Sequence, residues 1–496
     1  MQRQGDSIFL SASDLVGHLN CRHLTSLDLA VANGELERPA IWDPLLQILW
    51  ERGTRHEQGF VEHLRSQGLS VTIIDGIGVD DESVERTRSA MLAGDEIIVQ
   101  GAFRANGWVG RTDVLRRVEA ESNLGAWSYE VIDTKLARET KGGTVLQLCL
   151  YADLVGTIQG GCPTHSYVVA PWSGYEPQMY RMDDYAAYFR RVKSSLVAAI
   201  EHAGEVIYPE PKEHCDICRW QSRCDRKRRE DDHLSLVAGI TKVHIDELRR
   251  HGIETMTDLA AMPVPLPWRP SRGAVHSYER VREQARIQVE GREAGSVLHE
   301  LLPVTEGFGL ASLPEPSVGD IFFDLEGDPF AGEGGLEYLF GYTFIDGNNG
   351  IAYTADWALS REEEKLNFER FIDFVVARQE QYPDLHIYHF APYEPAALKR
   401  LMGRHASREE EIDALLRSKR FVDLYSVIRN GLRASVESYS IKKLEPLYDF
   451  SRDTELSEAN KALAKVQACL ELGDLAFIND VDRSVVTGYN RDDCVS

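Results

Sequence analysis

Residues 320–330 read DIFFDLEGDPF, and this stretch decides how the second half of the chain folds. Ile321 to Leu325 is an apolar strand run, and Asp324 and Glu326, two apart, fall on one face of that strand. Two unpaired carboxylates on one face repel each other unless a cation lies between them, so the pair predicts a metal site. Further strand runs follow at 337–344 and 351–357, then an amphipathic helix at 362–378 and a strand at 385–389 that leads into another helix. Strands interleaved with helices put the segment in the α/β class, and the turn-rich SLPEPSVGD at 312–320 marks its start. Other candidate site residues come in order: Glu394 in YHFAPYEPAALKRL (388–401), Asp423 in FVDLYSVI (421–428), and Tyr489 with Asp493 in YNRDDCVS (489–496). Tyr489 and Asp493 stand four apart and share a helix face, while Asp328 and Asp492 lie near enough to compete for the same roles. A helix holding Asp493 needs another turn or two to dock, which leaves open that the chain is a fragment.

The first half carries a second acidic set. GRTDVLRRV (110–118) places Asp113 on a strand, and YEVIDTKLARET (129–140) places Asp133 and Lys135 on one face of the next. Two such carboxylates can hold Mg²⁺ or Mn²⁺ against a scissile phosphate while the ammonium orients water. Gln147 and Tyr151 share one face of a helix expected at 145–155, and His56 in RGTRHEQGF (52–60) is placed on a helix at 44–64, where its imidazole could join the metal. The bland readings are a solvated strand end for Asp-x-Lys, a buried helix histidine for His56 and ordinary packing for Tyr151. Strands at 96–103, 110–118, 127–134 and 165–170 make this half a mixed α/β unit, preceded by a helix capped by Ser13 that runs through Leu15, Leu19 and Leu24.

Cys215, Cys218 and Cys224 form a tight triplet, and Cys21 is the one early cysteine, 194 residues before the first of them. Four thiolates suit zinc or an iron–sulfur cluster, and the spacing leaves the metal open. His23 and His214 are possible substitute ligands, whereas Cys149, Cys162, Cys469 and Cys494 lie singly and read as core or incidental. Ligation would close a very long loop and so turn metal binding into folding free energy. Eight cysteines in 496 residues are too sparse for a secreted disulfide scaffold, and the N-terminus lacks an export signal, so a cytoplasmic setting is expected.

At that length two or three domains are expected. A net charge of −24 argues against a broad basic surface for nucleic acid, leaving local clusters such as Arg219, Arg223, Arg226, Lys227, Arg228 and Arg229. The stretch 236–263, LVAGITKVHIDELRRHGIETMTDLAAMP, reads as two short helices joined by a glycine-bearing turn. It resembles a helix-hairpin-helix module and equally suits a plain helical linker. Neither a membrane-length apolar run nor a G-x-x-x-x-G-K-[ST] loop occurs, so neither a membrane span nor ATP hydrolysis is expected.

Taken together, His56, Asp113, Asp133-Thr134-Lys135, Gln147 and Tyr151 resemble the RecB-like branch of the PD-(D/E)xK nucleases over nearly all of the first 230 residues. The resemblance implies that His56, Asp113, Asp133 and Lys135 hold the metal and catalytic positions, with Gln147 and Tyr151 in support. Several RecB-like nucleases show the same split cysteine pattern with a 4Fe-4S cluster, so it also favours iron over zinc at Cys21, Cys215, Cys218 and Cys224, in a structural role. The second half has the strand order of a ribonuclease H-like sheet, and its residues resemble the DEDD exonucleases with Tyr four residues before the last Asp. That likeness implies Asp324, Glu326 and Asp493 on two divalent ions and Tyr489 orienting the attacking water. Glu394 departs from it, since those enzymes usually carry Asp there; either the longer carboxylate reaches or Asp423 takes more of the load.

The combined layout resembles a bacterial RecB-like nuclease family whose members often continue into a superfamily 1 helicase. Three regions are therefore expected: a RecB-like nuclease domain at 1–232, a helical linker at 233–312 and a ribonuclease H-like domain at 313–496. The implied activity is Mg²⁺- or Mn²⁺-dependent hydrolysis of DNA, with 3′-to-5′ exonuclease character at the second site, in repair, recombination or defence. The competing readings are RNA processing and a catalytically silent, metal-stabilised adaptor for a helicase.

Overall fold

In the first half, Ile98, Leu115 and Val131 turn to one side of their sheet, and Ile97, Val99, Val114 and Ile132 turn to the other. The sheet is therefore apolar on both faces and must be covered on both. Its strands are β1 (Val71–Ile73), β2 (Ile97–Ala105), β3 (Trp108–Val118), β4 (Ser128–Thr134), β5 (His165–Val169) and β6 (Gln178–Arg181), in that spatial order. β1–β2 and β4–β5 are parallel, and the other pairs are antiparallel. The helix Gly142–Gln159 covers one face, packing Leu146, Leu150 and Leu154 against the sheet, and Phe60, Val61 and Leu64 of the helix Pro44–Ser66 cover the other.

Sequence and structure differ near the N-terminus. Ser11, rather than Ser13, starts the first helix, with Asp14 accepting from its backbone N–H at 2.8 Å. That helix, Ala12–Asn20, stops before Cys21, whose φ of −155° and ψ of 113° are extended, and a second helix runs over Arg22–Ala32. The expected single helix through Leu24 is thus two helices, broken where the first candidate thiol ligand sits.

The second half holds β7 (Ile321–Asp328), β8 (Leu336–Ile345), β9 (Ile351–Trp357), β10 (Ile387–His389) and β11 (Phe421–Asp423), in spatial order β9-β8-β7-β10-β11. The three leading strands are antiparallel, and β10 and β11 add in parallel. Ile321, Phe323 and Leu325 pack against helices Arg361–Gln381 and Tyr393–His405, with Phe323 stacked on Phe371 at 4.0 Å. By strand alternation Phe322, Asp324 and Glu326 face the other side, where the helix Asp480–Val495 lies against β7 and β8.

In the sequence between the strands of the two sheets, helices Lys242–Arg250, Met256–Ala261 and Val275–Ala294 share a core of Ile245, Leu248, Leu259 and Tyr278. The first two are joined through Gly252 at φ +77°, matching the glycine-bearing turn expected at 236–263. The chain is an α/β protein of two compact units, Met1–Asp225 and Arg226–Ser496. The structure, a computed structural model, describes every residue except 6, 41–43, 137–139, 203–206, 333 and 349. The 137–139 tail of YEVIDTKLARET thus lies outside the described residues. Among the described residues no helix is long and apolar enough to cross a membrane.

Candidate active sites

Asp324 and Glu326 leave β7 on one face, and the helix Asp480–Val495 lays Asp493 against them. One ligand oxygen from each of the three lies within 4.8 Å of the others, the sole such gathering of three or more His, Cys, Asp or Glu among the described residues. Burial, then Glu326, Asp493 and Glu394, hold the Asp324 carboxyl well above the usual carboxylate range, with Lys442 pulling the other way. Glu326 is pushed up to about 8 by burial and then by Asp493. Such crowding favours any cation that can sit among the three.

The helix register explains why Asp493 and not Asp492 joins them. Asp492 turns away and accepts from the backbone N–H of Thr454 at 2.9 Å, while Asp328 accepts from the backbone N–H of Phe330 at 2.8 Å. One turn before Asp493, buried Asn490 donates to Asp324 Oδ2 at 2.7 Å. This contact needs Gly341, the β8 partner of Asp324, because a Cβ there would fall 1.5 Å from Asn490 Oδ1. Lys442 Nζ donates to Asp493 Oδ2 at 2.7 Å, and Arg452 donates to the other oxygen. Both cations also lie over the Tyr489 ring, at 4.8 and 5.6 Å. Burial and Asp493 push the Tyr489 phenol up to about 12, so it is a neutral hydroxyl near pH 7.

Glu394 is buried and close enough to raise Asp324, and burial raises its own carboxyl against the pull of His389, 3.5 Å away. Asp423 does something else: its Oδ1 accepts from the backbone N–H groups of Ala391 at 3.0 Å and Ser426 at 3.3 Å, capping the helix Leu424–Gly431. A cleft of about 590 Å³ opens beside Asp324, Asp493 and Lys442, walled by Phe322, Tyr388 and Tyr448. Asn490 was passed over in the sequence, although it stands three residues before Asp493 in YNRDDCVS. Lys442 and Arg452, in the 440–452 stretch, carried no spacing that linked them to the acids.

In the first unit, Asp113, Asp133, Lys135, Gln147 and Tyr151 come together. Lys135 Nζ pairs with fully buried Asp133 at 2.7 Å, and Gln147 Nε2 reaches Asp133 Oδ1 at 3.3 Å and the Tyr151 hydroxyl at 3.1 Å. Asp113 accepts from the Thr134 backbone at 2.7 Å and from its hydroxyl at 2.8 Å. Burial and then Asp113 push Asp133 up to about 7. Burial pulls the Lys135 ammonium down, but Asp133 and Asp113 outweigh it and raise it. His56 sits at the margin, its Nε2 on the Val169 carbonyl at 3.0 Å and its ring stacked over Tyr175. Its neighbour Glu57, passed over in the sequence, feels both Asp113 and Lys135, and burial followed by Asp113 raises its carboxyl.

Cys21 and Cys215 lie near Cys218, although no three thiols come within 4.8 Å of one another among the described residues. Cys218 and Cys224 pack around buried Trp220, and Cys21 and Cys215 are close enough to disfavour the Cys218 thiolate that burial already disfavours. The Lys212 backbone N–H donates to Cys215 Sγ at 3.3 Å, the kind of contact a metal-bound thiolate accepts. The basic run nearby is partly engaged: Lys227 pairs with Asp231 at 2.5 Å, Arg229 grips Glu437 with both nitrogens, and Arg228 is buried.

A profile of the PD-(D/E)XK nuclease superfamily matches residues 34–225, and a profile of the RNase H superfamily matches residues 321–496. No curated protein matches the chain.

Proposed function

We propose, for a chain that carries a PD-(D/E)XK nuclease superfamily domain at 34–225 and an RNase H-like domain at 321–496, that it is a metal-dependent nuclease with two separate sites acting on DNA. The observation that carries this reading is the Asp324–Glu326–Asp493 group, three carboxylate oxygens within 4.8 Å that suit a divalent ion. A bound Mg²⁺ or Mn²⁺ would supply Lewis-acid stabilisation of the phosphate and an activated water. Asp324, Glu326 and Asp493 would hold it, and Tyr489, neutral and backed by Lys442, would orient the nucleophile by its hydroxyl. Aromatic walls beside the acids suit an unpaired strand, since bases stack on such rings, and the 3′-to-5′ polarity rests on the likeness to DEDD exonucleases. In the first unit Asp113 and Asp133 would hold metal with His56 beside them, Lys135 would offset charge developing on the phosphate, and Gln147 and Tyr151 would fix Asp133. Glu57 is a further carboxylate for that set.

The same reading divides the chain at 1–232, 233–312 and 313–496 and places it in the cytoplasm, in repair, recombination or defence, with a helicase as a fitting partner. It also gives Cys21, Cys215, Cys218 and Cys224 a structural 4Fe-4S cluster, supported by the nearness of Cys21 and Cys215 to Cys218 and by the N–H on Cys215. RNA processing competes on the same chemistry. An inactive adaptor draws on one observation: Lys442 and Arg452 already neutralise Asp493, as substitutes for an ion would.

Cleavage of labelled single- and double-stranded DNA and RNA with Mg²⁺ or Mn²⁺ separates these readings. Asp133→Asn and Asp324→Asn should each abolish a distinct activity by at least ~100-fold, since loss of mere outer contacts to a metal already costs 10–100-fold. Cleavage of RNA alone would favour processing. No cleavage by wild type, or none affected by either change, would favour the adaptor.

A further inference from the structure

A small cavity in the second unit shares no residue with either acidic site. It measures about 180 Å³, and Arg280, Arg429 and Arg433 reach it together with Gly239, Ser277 and Tyr439. In a chain with 79 acids against 55 lysines and arginines, a guanidinium ordinarily finds a carboxylate. Here only Arg433 does, on Glu300. Arg280 donates to the Arg429 backbone carbonyl at 3.1 Å and Arg429 to the Tyr425 hydroxyl at 2.8 Å, and neither has a carboxylate partner among the described residues. Three cations of one sign thus converge with two charges uncompensated. Their convergence shows at Tyr439, whose phenol is raised by burial while the Ala434 backbone N–H and then Arg433, Arg429 and Arg280 pull it back.

Gly239, at φ +75°, lets the backbone pass close to this cluster, because a Cβ there would lie 2.7 Å from Arg429 Nη2. Guanidinium forks match the oxygens of a tetrahedral oxyanion. Pockets for whole nucleoside-sized ligands run from ~300 Å³ upward, so this volume suits a single phosphate group.

We propose that Arg280, Arg429 and Arg433 bind an internucleotide phosphate of the substrate strand and hold it outside the catalytic centres. The identity of the strand rests on the nuclease reading; the anion pocket does not.

The test uses the full chain in EDTA with a fluorescent single-stranded DNA, its anisotropy followed across a salt series, for wild type, Arg280→Gln, Arg429→Gln and the double variant. The double variant should bind about tenfold more weakly at low salt. Its slope of log affinity against log salt should flatten by about 0.7, the value for one lost phosphate contact on a single strand. Hydrolysis of the small diester bis(p-nitrophenyl) phosphate should not change. Arg429→Lys, which keeps the charge, should keep the slope and so separate lost contact from lost fold. An unchanged slope in the double variant, with wild type still cleaving, sinks the pocket alone. A wild type that cleaves nothing but loses strand binding in the variants sinks the catalytic reading and leaves the pocket standing. Inorganic phosphate that raises the wild-type Tm, alongside strand binding indifferent to the substitutions, would show a free-phosphate site and overturn the strand assignment.

Discussion

Asp133 has no exposed surface, faces Asp113 and is pushed up to about 7, against an ordinary aspartate near 3.8. Its folded form therefore holds a proton that the unfolded chain releases at lower pH. Stability tied to this group is fully present below pH ~4 and is lost as pH rises towards ~7, because the folded state binds more protons across that window. Urea unfolding in EDTA should show wild type losing stability between these limits relative to Asp133→Asn; parallel curves would refute the buried, proton-holding carboxyl. Metal at the same site must displace that proton, so affinity should rise over the same interval. At the second site the telling residue is Gly341, whose missing side chain makes room for Asn490. Gly341→Ala should cost about 1–3 kcal/mol by overpacking and should lower activity by shifting the Asn490–Asp324 contact. Equal Tm and equal rate would show that the helix tolerates the change. These close fits were illegible beforehand: Asp-x-Glu showed that two acids share a face, but no spacing reports that a glycine on the next strand lies under an asparagine 149 positions on.

Elements were readable to the degree that their periodicity was strong. The apolar strand at β7, the two strands β8 and β9 that follow it and the helix Arg361–Gln381 stand where alternation and the 3.6-residue repeat put them. Short edge strands such as β1, β6 and β11, of three or four residues, are too brief to carry a period and depend on neighbours for their pairing. The break at Cys21 was hidden for another reason: no proline stands near it and leucines continue on both sides, so the sequence carries no stop where the backbone breaks. That break sets Cys21 at the junction of two helices, in extended backbone, where the proposed cluster would take its first ligand. Cys21→Ser should lose bound iron together with the visible thiolate-to-iron absorbance, and should lower the melting temperature of the first unit. A colourless, zinc-loaded wild type would overturn iron. Iron retained in the variant would remove Cys21 from the ligand set.

For the molecule as a whole, charge and topology decide what each unit can do. With a net charge of −24, strand binding has to be local, and the uncompensated arginines at 280 and 429 supply one such place. Each unit builds its acids on central strands and completes the set from a helix: Gln147 over Asp133 in the first, Asn490 and Asp493 over Asp324 in the second. Most of both sets was visible in sequence because strand alternation and helical i,i+4 spacing are local rules. Lys442, Arg452 and Glu57 were not, because their proximity is made by the tertiary fold alone. Manganese titration followed by the electron paramagnetic resonance of the free ion tests most directly whether these acids exist to hold cations. Wild type should bind Mn²⁺ at two separable classes of site, one lost in Asp133→Asn and the other in Asp324→Asn. Mn²⁺ that stays free beside wild type, or binds unchanged in both variants, would contradict it.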